Sequence, residues 1–196
     1  MKNPIVILIA LCLTFVSTQS FAQNVTSEEV EFKKGDIELS AGVGLLSTFN
    51  SKSTTTKVLP VNFMLNYRIN QNVSIGGYLA YSSTEWKPQP TADEVPKEYL
   101  INNFYVAGLR AEGHFNKDRI DFYGGAMLGV TKSNIDTNIL PTDPQPENVQ
   151  IDFDPKSKFT YSGYLGLKYM MTKHFGVYGE IGYGASLVSV GITSKF

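Results

Sequence analysis

From residue 37 to the end of the chain, apolar residues recur at alternate positions, and the middle of the face they define carries no charge. A period of two is the signature of β-strands, and the runs are separated by segments rich in turn-forming residues. Taking alternate positions gives Ile37, Leu39, Ala41, Val43 and Leu45, then Leu59, Val61, Phe63 and Leu65, then Val73, Ile75 and Leu79. Leu109, Ala111, Leu128, Val130, Leu165, Leu167, Val177, Ile181, Val188, Val190 and Ile192 continue the same face. A charge facing the middle of a bilayer costs about 2 to 4 kcal/mol, so a face of this kind is what lipid demands of a sheet. Beyond the N-terminal segment there is no stretch of about 18 apolar residues, so helices cannot carry this chain across a membrane. A closed barrel is the other solution, because closure pairs every backbone group that lipid would leave unsatisfied.

The N-terminus reads as an export signal. Met1-Lys2-Asn3 precedes an apolar run over residues 5–16, and Ser20-Phe21-Ala22 forms an A-x-A-like cleavage site. The expected organisation is a signal peptide over 1–22, a polar and flexible leader over 23–36, and a barrel over 37–196. The sole cysteine, Cys12, lies inside the signal, so the mature chain has no thiol for a disulfide or a metal. Loss of Lys2 leaves 16 basic against 18 acidic residues with no block of like charge, which argues against nucleic acid as a partner.

The pattern resolves into eight strands, at about 37–49, 57–69, 73–84, 100–115, 120–132, 158–170, 175–183 and 187–196. The fold class expected is all-β, an eight-stranded antiparallel up-and-down transmembrane β-barrel. Its connections alternate in length: 70–72, 116–119 and 171–174 are short, whereas 50–56, 85–99 and 133–157 are longer and polar. Short periplasmic turns with long external loops follow that rule. The last connection, near Gly184-Ala185-Ser186, is short where the rule expects a long one.

Aromatic residues of the apolar face cluster near strand ends. Tyr67, Phe115, Phe122, Tyr169, Phe175 and Phe196 fall at the turn side, and Phe49, Tyr81, Tyr105, Tyr161 and Tyr183 at the loop side, as two headgroup girdles would require. The opposite face carries Glu38, Arg68, Arg110, Glu112, Asp121, Lys168, Glu180 and Lys195 among tyrosines and glycines. An eight-stranded barrel is only wide enough to be filled by side chains, so these residues are expected to form a neutral, ion-paired plug. A gap for a narrow channel would have to lie in the glycine band of Gly42, Gly44, Gly125 and Gly129.

The C-terminal strand, Gly182 to Phe196, ends on an aromatic residue with Ile192, Val190 and Val188 in phase before it. With the rest of the mature chain it resembles the small bacterial outer-membrane β-barrel domain family, which includes OmpX-like and OmpA-transmembrane-like barrels. The resemblance implies residence in outer-membrane lipid and recognition of Val188, Val190, Ile192 and Phe196 by the barrel-assembly machinery. Ser194 stands where the family has a further apolar residue.

No cofactor is called for. His114 shares a face with Glu112, and Ser74 or Ser162 could supply a hydroxyl, but nothing in the sequence shows that any of them meet, so a polar plug residue is the simpler reading. His174 reads as a turn residue. Asp136, Asp143, Glu147, Asp152 and Asp154 offer carboxylates for calcium in no recognised loop spacing. Asn24-Val25-Thr26 is a sequon without weight in a bacterial chain. A secreted lipocalin-like carrier is the competing fold, with the two faces exchanged. The expected function is non-enzymatic: a membrane anchor whose loops meet an extracellular partner, adhere or maintain the envelope. A narrow channel for small or hydrophobic solutes is the alternative, and a lipid-modifying barrel enzyme is less favoured.

Overall fold

The structure, a computed structural model, describes residues 30–48, 54–86, 98–139 and 156–196. Every regular element among them is a strand: β1 (Ile37–Gly44), β2 (Thr54–Asn70), β3 (Val73–Trp86), β4 (Glu98–Lys117), β5 (Ile120–Ile139), β6 (Lys156–Met170), β7 (Phe175–Gly182) and β8 (Val188–Lys195). Each pairs antiparallel with its chain neighbours, and β1 pairs with β8 to close the barrel. Reciprocal bonds between the backbones of Ile37 and Phe196, at 3.0 and 2.9 Å, finish the seam. The signal and residues 23–29 lie outside the described residues, as do Phe49 and the acids at 143, 147, 152 and 154.

The hairpin turns follow from their residues. The Asn70 side chain accepts a bond from the Asn72 amide at 2.8 Å, the local substitute for a backbone turn that Asn favours. Asp118 takes a φ of 52°, a left-handed conformation that Asp tolerates, and this lets β4 turn into β5 within two residues. Thr172 Oγ1 receives the amides of His174 and Phe175 at 3.3 and 3.0 Å.

Strand lengths differ from the sequence expectation. β1 ends at Gly44 rather than at residue 49, and β7 ends at Gly182, which puts Tyr183 in the connection. In contrast β4 and β5, of 20 residues each, stay paired from Lys117↔Ile120 to Glu98↔Ile139. The far halves of these strands carry Asn102, Asn103, Ser133 and Asn134, so apolar alternation fades there while the backbone ladder continues. Strands β2 to β6 therefore rise beyond the rim set by β1, β7 and β8. The short final connection has its own explanation, because it is tied to the segment after β1. Leu45 N donates to Val188 O and Leu187 N to Leu46 O, both at 2.8 Å, and Thr48 Oγ1 donates to Gly184 O.

The usual distribution of residues is inverted. Leu109 is 75% exposed and Leu165 63%, whereas Arg68 and Asp121 are fully buried. An apolar surface this extensive has no place in water, and it faces outward around the whole barrel. The lipocalin-like alternative, which needs the polar face outside, is overturned by this orientation.

The described end of the leader, residues 30–36, packs against the barrel. Val30 and Phe32 are buried against Met170 beneath the turn-side mouth. Gly35 N donates to Arg68 O at 2.8 Å and Arg68 N to Asp36 O at 2.9 Å, so residues 35 and 36 extend the β1–β2 ladder.

Candidate functional site in the barrel lumen

Even-numbered residues of β1 to β4 point inward, as do odd-numbered ones of β5 and even-numbered ones of β6 and β7. Cross-strand register then decides which of them meet. At the turn side Arg68 Nε donates to Glu38 Oε1 at 2.7 Å and Nη2 donates to Asp121 Oδ2. Its Nη1 reaches Gln71 O at 3.1 Å and Asn116 Oδ1 at 3.4 Å. Lys168 Nζ donates to the other oxygen of Glu38, lies 3.9 and 4.0 Å from Glu112 and Asp121, and sits 4.5 Å from the Tyr123 ring centroid. Charges this deeply enclosed are tolerated only when both partners and their remaining hydrogen-bonding positions are satisfied.

A second layer lies toward the loops. Arg110 donates to Glu112 Oε1 at 3.1 Å and to Glu180 Oε2 at 2.6 Å, and its guanidinium stacks 3.7 Å from the centroid of Tyr164. Tyr123 Oη donates to Glu180 at 3.1 Å, and Tyr178 Oη to Asn62 Oδ1 at 2.6 Å. Glu112 joins the layers by also accepting from Asn66 Nδ2 at 3.1 Å and Ser74 Oγ at 3.2 Å. Among the described residues one buried side-chain atom, Asn66 Oδ1, lacks a partner.

Lys195 does not join these layers. It reaches the mouth, where it donates to Glu31 O, lies 3.4 Å from Asp36 and 4.7 Å from the Phe32 ring centroid. The enclosed set is thus Glu38, Glu112, Asp121 and Glu180 against Arg68, Arg110 and Lys168, with His114 between two of the acids. Phe32 also lies 4.6 Å from the Arg68 guanidinium and covers it from below.

The glycine band is filled. A Cβ on Gly42 would stand 2.2 Å from Tyr178 Oη, one on Gly44 2.4 Å from Ser186 Cβ, one on Gly125 2.1 Å from Ala111 O, and one on Gly129 2.3 Å from Ala107 O. These glycines make room for neighbours and leave no gap of their own.

One association escaped the sequence reading. Ser74 Oγ and His114 Nε2 are 2.8 Å apart, and His114 Nδ1 lies 3.0 Å from Asp121 Oδ2, the connectivity of a serine–histidine–aspartate relay. The two-residue turn after β4 fixes Asn116↔Asp121 and so brings His114 to Asp121. The register Ser74↔Glu112 hangs on a long connection, so nothing local announces it. Ser74 is fully buried, and His114 Nδ1 is also 3.3 Å from Arg68 Nη2. Ser162 lies elsewhere, in a narrow polar recess above Arg110 and Glu180.

Outside, Tyr67, Phe115, Phe122, Tyr169, Phe175 and Phe196 are exposed near the turn-side rim, and Tyr105, Tyr161 and Tyr183 toward the loops, with Tyr81 half-buried against Tyr105. Phe159, exposed and paired with Val130, adds a loop-side aromatic that the sequence reading left out. On β8, Val188, Val190 and Ile192 face outward, and the Ser194 hydroxyl donates to His174 O at 3.0 Å.

Comparison with known proteins agrees with this architecture. The outer membrane protein OprG of Pseudomonas aeruginosa superposes with a TM-score of 0.55 at 12% identity, over 84% of this chain and 97% of that one. Ail, the attachment invasion locus protein of Yersinia pestis, solved in complex with the heparin analogue sucrose octasulfate, gives 0.50 at 14% identity, over 83% and 99%. Both likenesses are of fold. No curated protein is similar enough in sequence to count as a relative. The family model of the outer membrane protein beta-barrel domain matches residues 8–191. With a closed eight-stranded barrel, an apolar exterior and a polar core, this chain is a protein of the bacterial outer membrane and belongs to the outer membrane protein beta-barrel domain family.

Proposed function

We propose that this protein is a non-enzymatic anchor in the outer membrane that presents its long connections to the exterior, for interaction with an extracellular partner, adhesion or envelope integrity. The observation that carries this reading is the pairing of a filled lumen with strands that outlast the rim. Arg68, Lys168 and Asp121 are enclosed by partners, while β3, β4 and β5 stay paired well past Tyr81 and Tyr105. Exposed connections on a rigid scaffold are where binding surfaces concentrate. A nucleophile has to reach its substrate, and Ser74 is enclosed on every side, so the relay is assigned a structural role. β8, with Val188, Val190, Ile192 and Phe196, is assigned to recognition by the assembly machinery.

The test replaces 87–97 and 140–155 by short turns. The barrel should still migrate faster unboiled than boiled, while attachment of expressing cells to a surface is lost; attachment that survives replacement refutes the reading. A narrow channel is the second reading, and the polar recess above Arg110 and Glu180 favours it. It requires that ion pair to separate.

A further inference from the structure

On the loop half of the lipid-facing surface the barrel wall is not flat. Leu79, Ala107 and Val130 are neighbours across β3, β4 and β5, and the small Ala107 sits at the bottom of an apolar groove walled by Phe63, Tyr81 and Tyr105. The aromatic wall is fixed: Tyr81 Oη donates to Asn103 Oδ1 at 3.0 Å, and the Tyr81 and Tyr105 rings are 5.1 Å apart. Lys132 lines the groove's outer end, paired across strands with Tyr105. Its side chain is exposed and has no hydrogen bond or ion pair with any described residue. Asn134, the next outward position, and Ser157, the cross-strand partner of Lys132, are exposed beside it.

This arrangement differs from an ordinary lipid-facing wall in two ways. A recess one side chain deep accepts a hydrocarbon chain with more contact than a flat surface offers, since dispersion contacts add with each neighbouring atom. A cation at the mouth of the recess, at the level where strands leave the apolar band, has no partner among the described residues to neutralise it. Phosphate oxygens accept charge-assisted hydrogen bonds from a lysine ammonium, and the amide of Asn134 and the hydroxyl of Ser157 can add further donors.

We propose that this groove is a binding site for an anionic, phosphate-bearing acyl lipid of the outer leaflet, with one chain lying over Ala107 and the phosphate meeting Lys132. The inference needs only that the barrel is embedded in lipid and is independent of what the loops contact.

The test is native mass spectrometry of the folded protein released from micelles containing equal amounts of dioleoyl phosphatidic acid and dioleoyl phosphatidylcholine. The wild type should retain phosphatidic acid in preference. Lys132→Gln should lower the ratio of retained phosphatidic acid to phosphatidylcholine about tenfold, the equivalent of losing about 1.4 kcal/mol. Ala107→Trp, which fills the groove, should lower retention of both lipids, and Ala107→Leu should do so in part if the larger residue prevents folding. Lys57→Gln, which removes an exposed cation outside the groove, should leave the ratio unchanged. The proposal is overturned if Lys132→Gln leaves the ratio within about twofold, if Lys57→Gln lowers it equally, or if filling the groove leaves retention intact.

Discussion

Arg68→Met tests whether ion pairing holds the lumen together. The guanidinium is fully buried and serves Glu38, Asp121, Gln71 O and Asn116 Oδ1 at once. Methionine fills much of the same volume and supplies none of these bonds. Breaking a buried pair by removing one partner costs about 3 to 5 kcal/mol, because the charge left behind stays dry and unpaired. Lys168 remains against Glu38 and 4.0 Å from Asp121, which softens the loss and puts the expected effect near the lower end, about 3 kcal/mol. Trp86, the only tryptophan, gives a fluorescence signal for urea unfolding from lipid vesicles. Adding Asp121→Asn to Arg68→Met should recover about 1 kcal/mol, since it removes one of the stranded charges. A loss below about 1 kcal/mol in the single variant would refute the reasoning and mean that water, rather than arginine, solvates the carboxylates.

Other substitutions probe other links. Gly166→Ala places a Cβ 2.2 Å from Tyr123 Cζ and should destabilise the barrel by about 1 to 3 kcal/mol, whereas Gly77→Ala meets nothing within 4 Å and should be neutral in the same urea titration. Leu109→Lys puts a charge on the middle of the lipid face and should cost about 2 to 4 kcal/mol in vesicles. Phe32→Ala removes the cover over Arg68 and Lys195 and should make the chain before β1 sensitive to protease while costing about 2 kcal/mol or more.

Much of this architecture is legible in residue order because lipid imposes a hard rule on alternate positions. The outward phase of all eight strands, their antiparallel order and the inward set from Glu38 to Glu180 need only the period of two. What the period cannot supply is length where both faces are polar. Residues 133–139 read as loop, yet they continue β5, since Asn134 pairs with Asn103 through the backbone regardless of its side chain. Register across long connections is equally hidden, which is why Ser74 and His114 meet without any local signal. The place of Lys195 depends on Phe32 and Asp36 folding back under the mouth, and a short polar leader carries no pattern that announces it. Conversely, the brevity of the final connection was plain in the sequence, and its cause lies in bonds to Leu45 and Leu46 far along the chain.

The lumen is closed by its own side chains, and single-channel recording of the refolded protein in a planar lipid bilayer tests that most directly. The filled barrel predicts no stepwise current across a wide range of voltage. Discrete openings that vanish when Arg110 and Glu180 are cross-linked as cysteines would contradict it and establish that pair as the gate of a conducting pore.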